Sequence, residues 1–209
     1  MTKSRLMQLS LAAAVAIAAG CSKSSEKPAA AASQGDEASP QEQEMARGLN
    51  DGQLLQVLAT VDSGEIQQAR VALTKASSPQ VRNFASDMIE QHTRAKQLGA
   101  ALSSQHNLAL RPSPISEKLD GKGTQTLGQL QSADSRSFDG VYMQAQVKQH
   151  DEVLKMLDDK LIPSASHAEV KQQLTEARNM VQQHLTHAKQ LADDLASTGI
   201  QGSTGTMEQ

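Results

Sequence analysis

The segment Val170–Ala196, VKQQLTEARNMVQQHLTHAKQLADDLA, decides the fold. Val170, Leu174, Ala177, Val181, His184, Ala188, Leu191 and Leu195 follow one another in steps of four and three. This is the period of a helix with one apolar face, and it excludes the two-residue alternation of a half-buried strand. The reading predicts a helix from about Ser166 to Ala196 with one imidazole on its buried stripe.

Upstream the same period recurs three times. A helix from about Asp51 to Ala76 carries Leu54, Leu58, Val61, Glu65, Ala69, Ala72 and Ala76 on one face. Ser78-Pro79 opens the next, Ser as N-cap and Pro at the first helical position. That helix runs to about Leu102, with Val81, Ala85, Met88, His92, Ala95 and Leu102 on its stripe and Phe84 and Leu98 at the margin. A third starts near Phe138 and stops before Pro163; its face is Met143, Val147, His150, Leu154, Leu157 and Leu161, widened by Tyr142, Val153 and Met156.

Residues Ser103 to Ser137 join the second and third helices and hold Pro112 and Pro114. A connection that long in a compact domain either crosses the fold or carries function. A short helix is expected within it at Thr124–Gln131. Short, long and short links together give the all-α topology of a ferritin-like four-helix bundle. Only Phe84, Phe138 and Tyr142 are aromatic and Trp is absent, so the core of this 209-residue chain is aliphatic. A single Cys excludes a disulfide framework and any multi-cysteine metal site.

Residues 1–20 read as a secretory signal. Lys3 and Arg5 precede an apolar stretch, Leu6 to Ala19, that falls short of the roughly 20 residues needed to span a bilayer. Its end, Ile17-Ala18-Ala19-Gly20-Cys21, resembles a bacterial lipobox, departing from it at Ala18, where Leu is usual. The resemblance implies a diacylglycerol on Cys21, and Ser22 in place of Asp implies sorting to the outer membrane. Residues 21–43 are Ala, Ser, Pro, Gln and Glu with little that is large and apolar; they are expected to form a disordered, lipid-anchored tether. Residues 44–196 are the expected folded domain, and 197–209 (STGIQGSTGTMEQ) a disordered tail. Without Lys3 and Arg5 the 20 basic residues fall to 18 against 23 acidic ones, which gives no electrostatic reason to bind nucleic acid.

Four segments carry a family resemblance: GEIQQA (64–69), SSPQVRNFASDMIEQHTRAKQL (77–98), FDGVYMQAQVKQHDEVLKML (138–157) and VQQHLTHAKQL (181–191). They resemble the bacterial domain-of-unknown-function 4142 family over roughly Leu49 to Leu195. The resemblance implies an exported, often lipid-anchored chain with a ferritin-like helical domain. It implies no particular activity.

Each of the four stripes holds one titratable group: Glu65, His92, His150 and His184. On apolar faces these groups need partners, because an unpaired buried polar group costs a few kcal/mol. Three imidazoles and a carboxylate make a first shell suited to zinc, copper or iron. Counting residues from the helix ends places Glu65 and His92 within a turn of each other, but offsets His150 from His184 by about 9 Å. No Glu-x-x-His occurs in the chain, and Glu90-Gln91-His92 has the wrong spacing, so ferritin-type di-iron chemistry is not expected. The structural alternative is that these histidines bond to Glu65, to one another or to the Tyr142 hydroxyl. His187 reads as a rim residue, and His106 and His167 as solvent-facing helix ends.

Other motifs carry less. Gly121-Lys122-Gly123-Thr124 lacks the glycine spacing and preceding strand of a phosphate loop and reads as an ordinary loop. Asp139 reads as a helix-start carboxylate. No nucleophile arrangement is recognisable. The sequence therefore predicts an outer-membrane lipoprotein presenting a periplasmic helical domain. That domain is read as a non-enzymatic binding or envelope-maintenance module, with an envelope protein or a metal ion as partner. The alternative is a metal-binding or metal-dependent redox domain built on Glu65, His92, His150 and His184.

Overall fold

The computed structural model describes residues 48–204, with side chains through residue 197. The expected signal peptide, Cys21 and the tether lie outside the described residues. The described chain is all-helical. Helix α1 spans Asp51–Lys75, α2 Pro79–Gln105, α3 Pro114–Ser132 and α4 Phe138–Met156. A π-helical turn, Leu157–Leu161, and the three-residue α5, Ile162–Ser164, follow; α6 spans Ala168–Thr204.

The helix starts have local causes. Asn50 Oδ1 accepts from the Gln53 N–H while Gln53 Oε1 accepts from the Asn50 N–H, a reciprocal cap for α1. Ser78 Oγ accepts from the Val81 N–H ahead of α2. Ser113 and Ser116 cap α3 in the same reciprocal way, with Pro114 in its first turn.

Three elements differ from the sequence reading. The crossover helix is α3, 19 residues long, in place of the short helix expected at Thr124–Gln131. Gly121-Lys122-Gly123-Thr124 therefore lies inside a helix and is not a loop. Only Ser116 and Leu130 of α3 are fully buried, so its apolar periodicity is too sparse to be recognised. Pro163 does not end the third helix. The Ile162 N–H bonds back to the Leu157 carbonyl, shifting the ladder's register ahead of the proline, whose missing N–H would otherwise interrupt it. Finally, α6 continues to Thr204 where a stop at Ala196 is expected. Adding residues to a formed helix is cheap compared with nucleating one.

Two apolar clusters fill the interior. One joins Ala69 and Ala72 of α1, Phe84 and Met88 of α2, Tyr142 and Met143 of α4, and Ala188 of α6. The other joins Leu54 and Leu58 of α1, Val153, Leu157 and Leu161 after it in the chain, and Val170, Leu174 and Val181 of α6. Between them on α1, α4 and α6 lie the buried polar residues Asp62, Glu65, Gln68, Gln146, His150 and His184, with Leu185 beside them. His92 follows Met88 on α2 and belongs to the same layer.

Two carboxylates fix the relative heights of the helices. Asp139 accepts from the Ser77 and Ser78 N–H groups at 3.0 and 2.7 Å, tying the start of α4 to the α1–α2 turn. Asp51 accepts from the Ser166 and His167 N–H groups, tying the start of α6 to that of α1. Among the described residues no helix is long and apolar enough to cross a membrane.

Candidate metal centre

His92 on α2, His150 on α4 and His184 on α6 meet in the polar layer. One ring nitrogen of each lies within 4.8 Å of the others, and all three residues are buried. Ring centroids are 5.2 Å apart for His92–His184, 5.4 Å for His150–His184 and 6.2 Å for His92–His150.

In each ring one nitrogen is held by an oxygen. His92 Nδ1 lies 2.8 Å from Asp62 Oδ1, His150 Nδ1 2.9 Å from the Gln146 carbonyl, and His184 Nε2 3.0 Å from Gln91 Oε1. Oxygen acceptors at those positions place the proton there and leave a lone pair on the opposite nitrogen. Those opposite atoms, His92 Nε2, His150 Nε2 and His184 Nδ1, are buried and have no hydrogen-bond partner. Burial pushes His150 below the usual imidazole range, and burial together with the neighbouring imidazoles pushes His184 down to about 3. Both rings are therefore neutral at physiological pH.

Imidazoles whose second nitrogens are fixed by outer partners are what a metal requires of its histidine ligands. At metal–nitrogen distances of about 2.0–2.1 Å, tetrahedral ligands stand about 3.4 Å apart. Closing the longest gap here takes less than about 1.5 Å, within reach of small side-chain rotations. Nitrogen donors of this softness suit zinc and copper, and iron with added oxygen ligands.

Glu65 sits beside this trio and not among its converging atoms. Its Oε2 accepts from Gln146 Nε2 at 2.9 Å, and Gln146 Nε2 also lies 3.3 Å from Gln68 Oε1. Gln68 and Gln149 exchange amide hydrogen bonds at 3.0 and 2.9 Å. Glu65 is still close enough for its charge to favour protonated His150.

The 9 Å offset expected between His150 and His184 is corrected. The helical path after His150 extends to Ser164, 14 residues on, and His184 lies 16 residues into α6. The remaining two residues amount to about 3 Å. His92 takes its carboxylate from Asp62, one turn before Glu65, a residue the sequence reading passed over. The Tyr142 hydroxyl is buried without a partner and holds none of the histidines. Its ring stacks on Phe138 and meets the edge of Phe84. Burial, with a smaller contribution from Glu65, keeps Tyr142 a neutral phenol. His187 is exposed and packs edge-on against Phe84 at 5.3 Å. His167, also exposed, pairs with Asp51, and the half-buried His106 ring lies 5.5 Å from it.

Residues 29–191 match the family described as Domain of unknown function (DUF4142). The chain belongs to this family. The DUF4142 match includes all three converging histidines, Asp62 and Glu65, and it begins 15 residues ahead of Glu44, where composition places the start of the domain. Comparisons of this DUF4142 chain with curated proteins and with solved structures gave no match.

Proposed function

We propose that this DUF4142 protein is a metal-binding lipoprotein of the outer membrane. Its ferritin-like four-helix domain faces the periplasm and holds one transition-metal ion on His92, His150 and His184. The carrying observation is three buried histidines with ring nitrogens within 4.8 Å of one another, each ring having one nitrogen held by an oxygen and the other without a partner. A purely structural role argues poorly for this arrangement. Each buried acceptor left unsatisfied costs roughly 1–3 kcal/mol, and three facing one another repel as well. A cation between them removes both penalties. Zinc or copper fits three nitrogen donors best. Di-iron chemistry lacks its Glu-x-x-His ligands.

The anchor rests on the sequence. Lys3, Arg5, the apolar run and the lipobox-like Ile17-Ala18-Ala19-Gly20-Cys21 support diacylglycerol on Cys21, and Ser22 supports outer-membrane sorting. The module binds its ion without chemistry in this reading.

Elemental mass spectrometry of the purified full chain tests the proposal. It should find close to one zinc, copper or iron per chain, lost in a His92→Ala/His150→Ala variant. A metal-free chain that also ignores all three added ions would overturn it.

A further inference from the structure

A cleft of about 40 Å³ opens between α1, α3 and α4. Gly64 of α1 and Gly123 of α3 form part of its wall, and a methyl built on Gly64 would lie 4.0 Å from Gly123 Cα. The two helices therefore meet there without side chains between them, and the space holds a few water molecules. At its mouth Lys122 Nζ and Glu152 Oε2 form an ion pair at 2.6 Å, both side chains at least a third exposed. Deeper in, Gln68 and Gln149 line it, and Glu65, only 4% exposed, is part of its wall.

Behind Glu65 lies Gln146, fully buried, with its Nε2 on Glu65 and its Oε1 without a partner. One turn further along α4 is His150, whose ring belongs to the converging trio. Oxygen-bearing groups thus run from solvent past Glu65 to Gln146, whose backbone carbonyl holds His150 Nδ1, while the two apolar clusters lie on either side of this layer. The residues along it include two glutamates and one lysine, a balance that favours cations.

Resting on the three-histidine reading, we propose that this cleft is the port through which a hydrated divalent transition-metal cation reaches the trio. Glu152 receives the ion and Glu65 relays it inward. Lys122 competes for Glu152 and must release it. Carboxylate and amide oxygens replace the departing waters along the way.

The test is the rate at which the full metal-free chain takes up cobalt(II), followed by the visible absorption of the nitrogen-bound ion. At low ionic strength Glu152→Lys should load at least threefold more slowly than the parent and Lys122→Glu at least threefold faster, and both should reach the same final occupancy. The differences should shrink at about 0.5 M salt, where exposed charges are screened within a few ångströms. Asp193→Lys, a similar charge change on α6, which contributes no residue to the cleft, should load at the parent rate. Parent-like rates and full occupancy in both mouth variants would overturn the port alone. Failure of the parent chain to take up cobalt would overturn the three-histidine reading and the port with it.

Discussion

The Asp62 carboxylate lies 2.8 Å from His92 Nδ1, with both side chains almost fully buried. The pairing leaves the other ring nitrogen, Nε2, buried and without a partner, with the His150 and His184 rings nearby. Burial raises Asp62 above the usual carboxylate range, against the pull of His92, so the pair exists at a desolvation cost. Outer partners of this kind typically contribute 10–100-fold to metal affinity. Asp62→Asn should therefore weaken zinc binding by about that factor, read by competition with a chromophoric chelator, while leaving one site per chain. Unchanged affinity would show that Asp62 serves only the fold.

The unpartnered nitrogens separate a ligand role from a structural one. Replacing an orphaned buried acceptor by an apolar side chain of similar size is close to neutral or stabilising, whereas removing a bonded core residue costs about 2–5 kcal/mol. His150→Leu in the metal-free chain should melt in urea at or above the parent midpoint and should no longer bind zinc. A midpoint drop worth more than about 2 kcal/mol would instead mark His150 as a structural residue.

Acid should destabilise the metal-free chain. His150 is held below its ordinary value by burial, and His184 at about 3. In the unfolded chain both titrate near 6.5. Between the two ranges the unfolded state binds more protons, so stability from this source is complete above about pH 6.5 and is lost as pH falls toward 3. Asp62 acts in the opposite sense within the carboxylate range, because its raised value gives the folded state the proton first. Melting temperatures after chelator treatment should be level above pH 7 and decline from pH 6.5 to 5, with a shallower decline in His184→Leu. A rise on acidification would contradict the assignment.

Gly52 tests the fold independently of any ion. A methyl built there would sit 2.2 Å from the Ala109 carbonyl oxygen, a backbone atom that cannot rotate aside. Overpacking of this kind costs typically 1–3 kcal/mol. Gly52→Ala should lower the denaturation midpoint by that amount, while Gly128→Ala, where a methyl meets nothing within 4 Å, should leave it level or raised. Equal stability in the two variants would refute the close approach of α1 to the segment after α2.

The helical class was legible because Leu54, Val81, Met143 and Val170 each begin or join a stripe at helical spacing, and the same spacing exposed His92, His150 and His184. Heights were less legible. The π-helical turn at Leu157–Leu161 and the continuation through Pro163 lengthen the rod after His150, and hydrophobic period does not report a shifted hydrogen-bond register. Asp62 escaped notice because a carboxylate between apolar positions reads as a solvated face until a buried imidazole is found opposite it. The signal was its place one turn before Glu65. Helix α3 was largely invisible because it lies on the outside, burying Leu130 and little else that is apolar.

X-ray absorption at the edge of the metal retained by the full chain reads the ligand shell itself. Three imidazole nitrogens at about 2.0–2.1 Å should dominate that shell, with the multiple-scattering signature of histidine rings. A shell of oxygens alone, or one unchanged by replacing His92, His150 and His184, would contradict it.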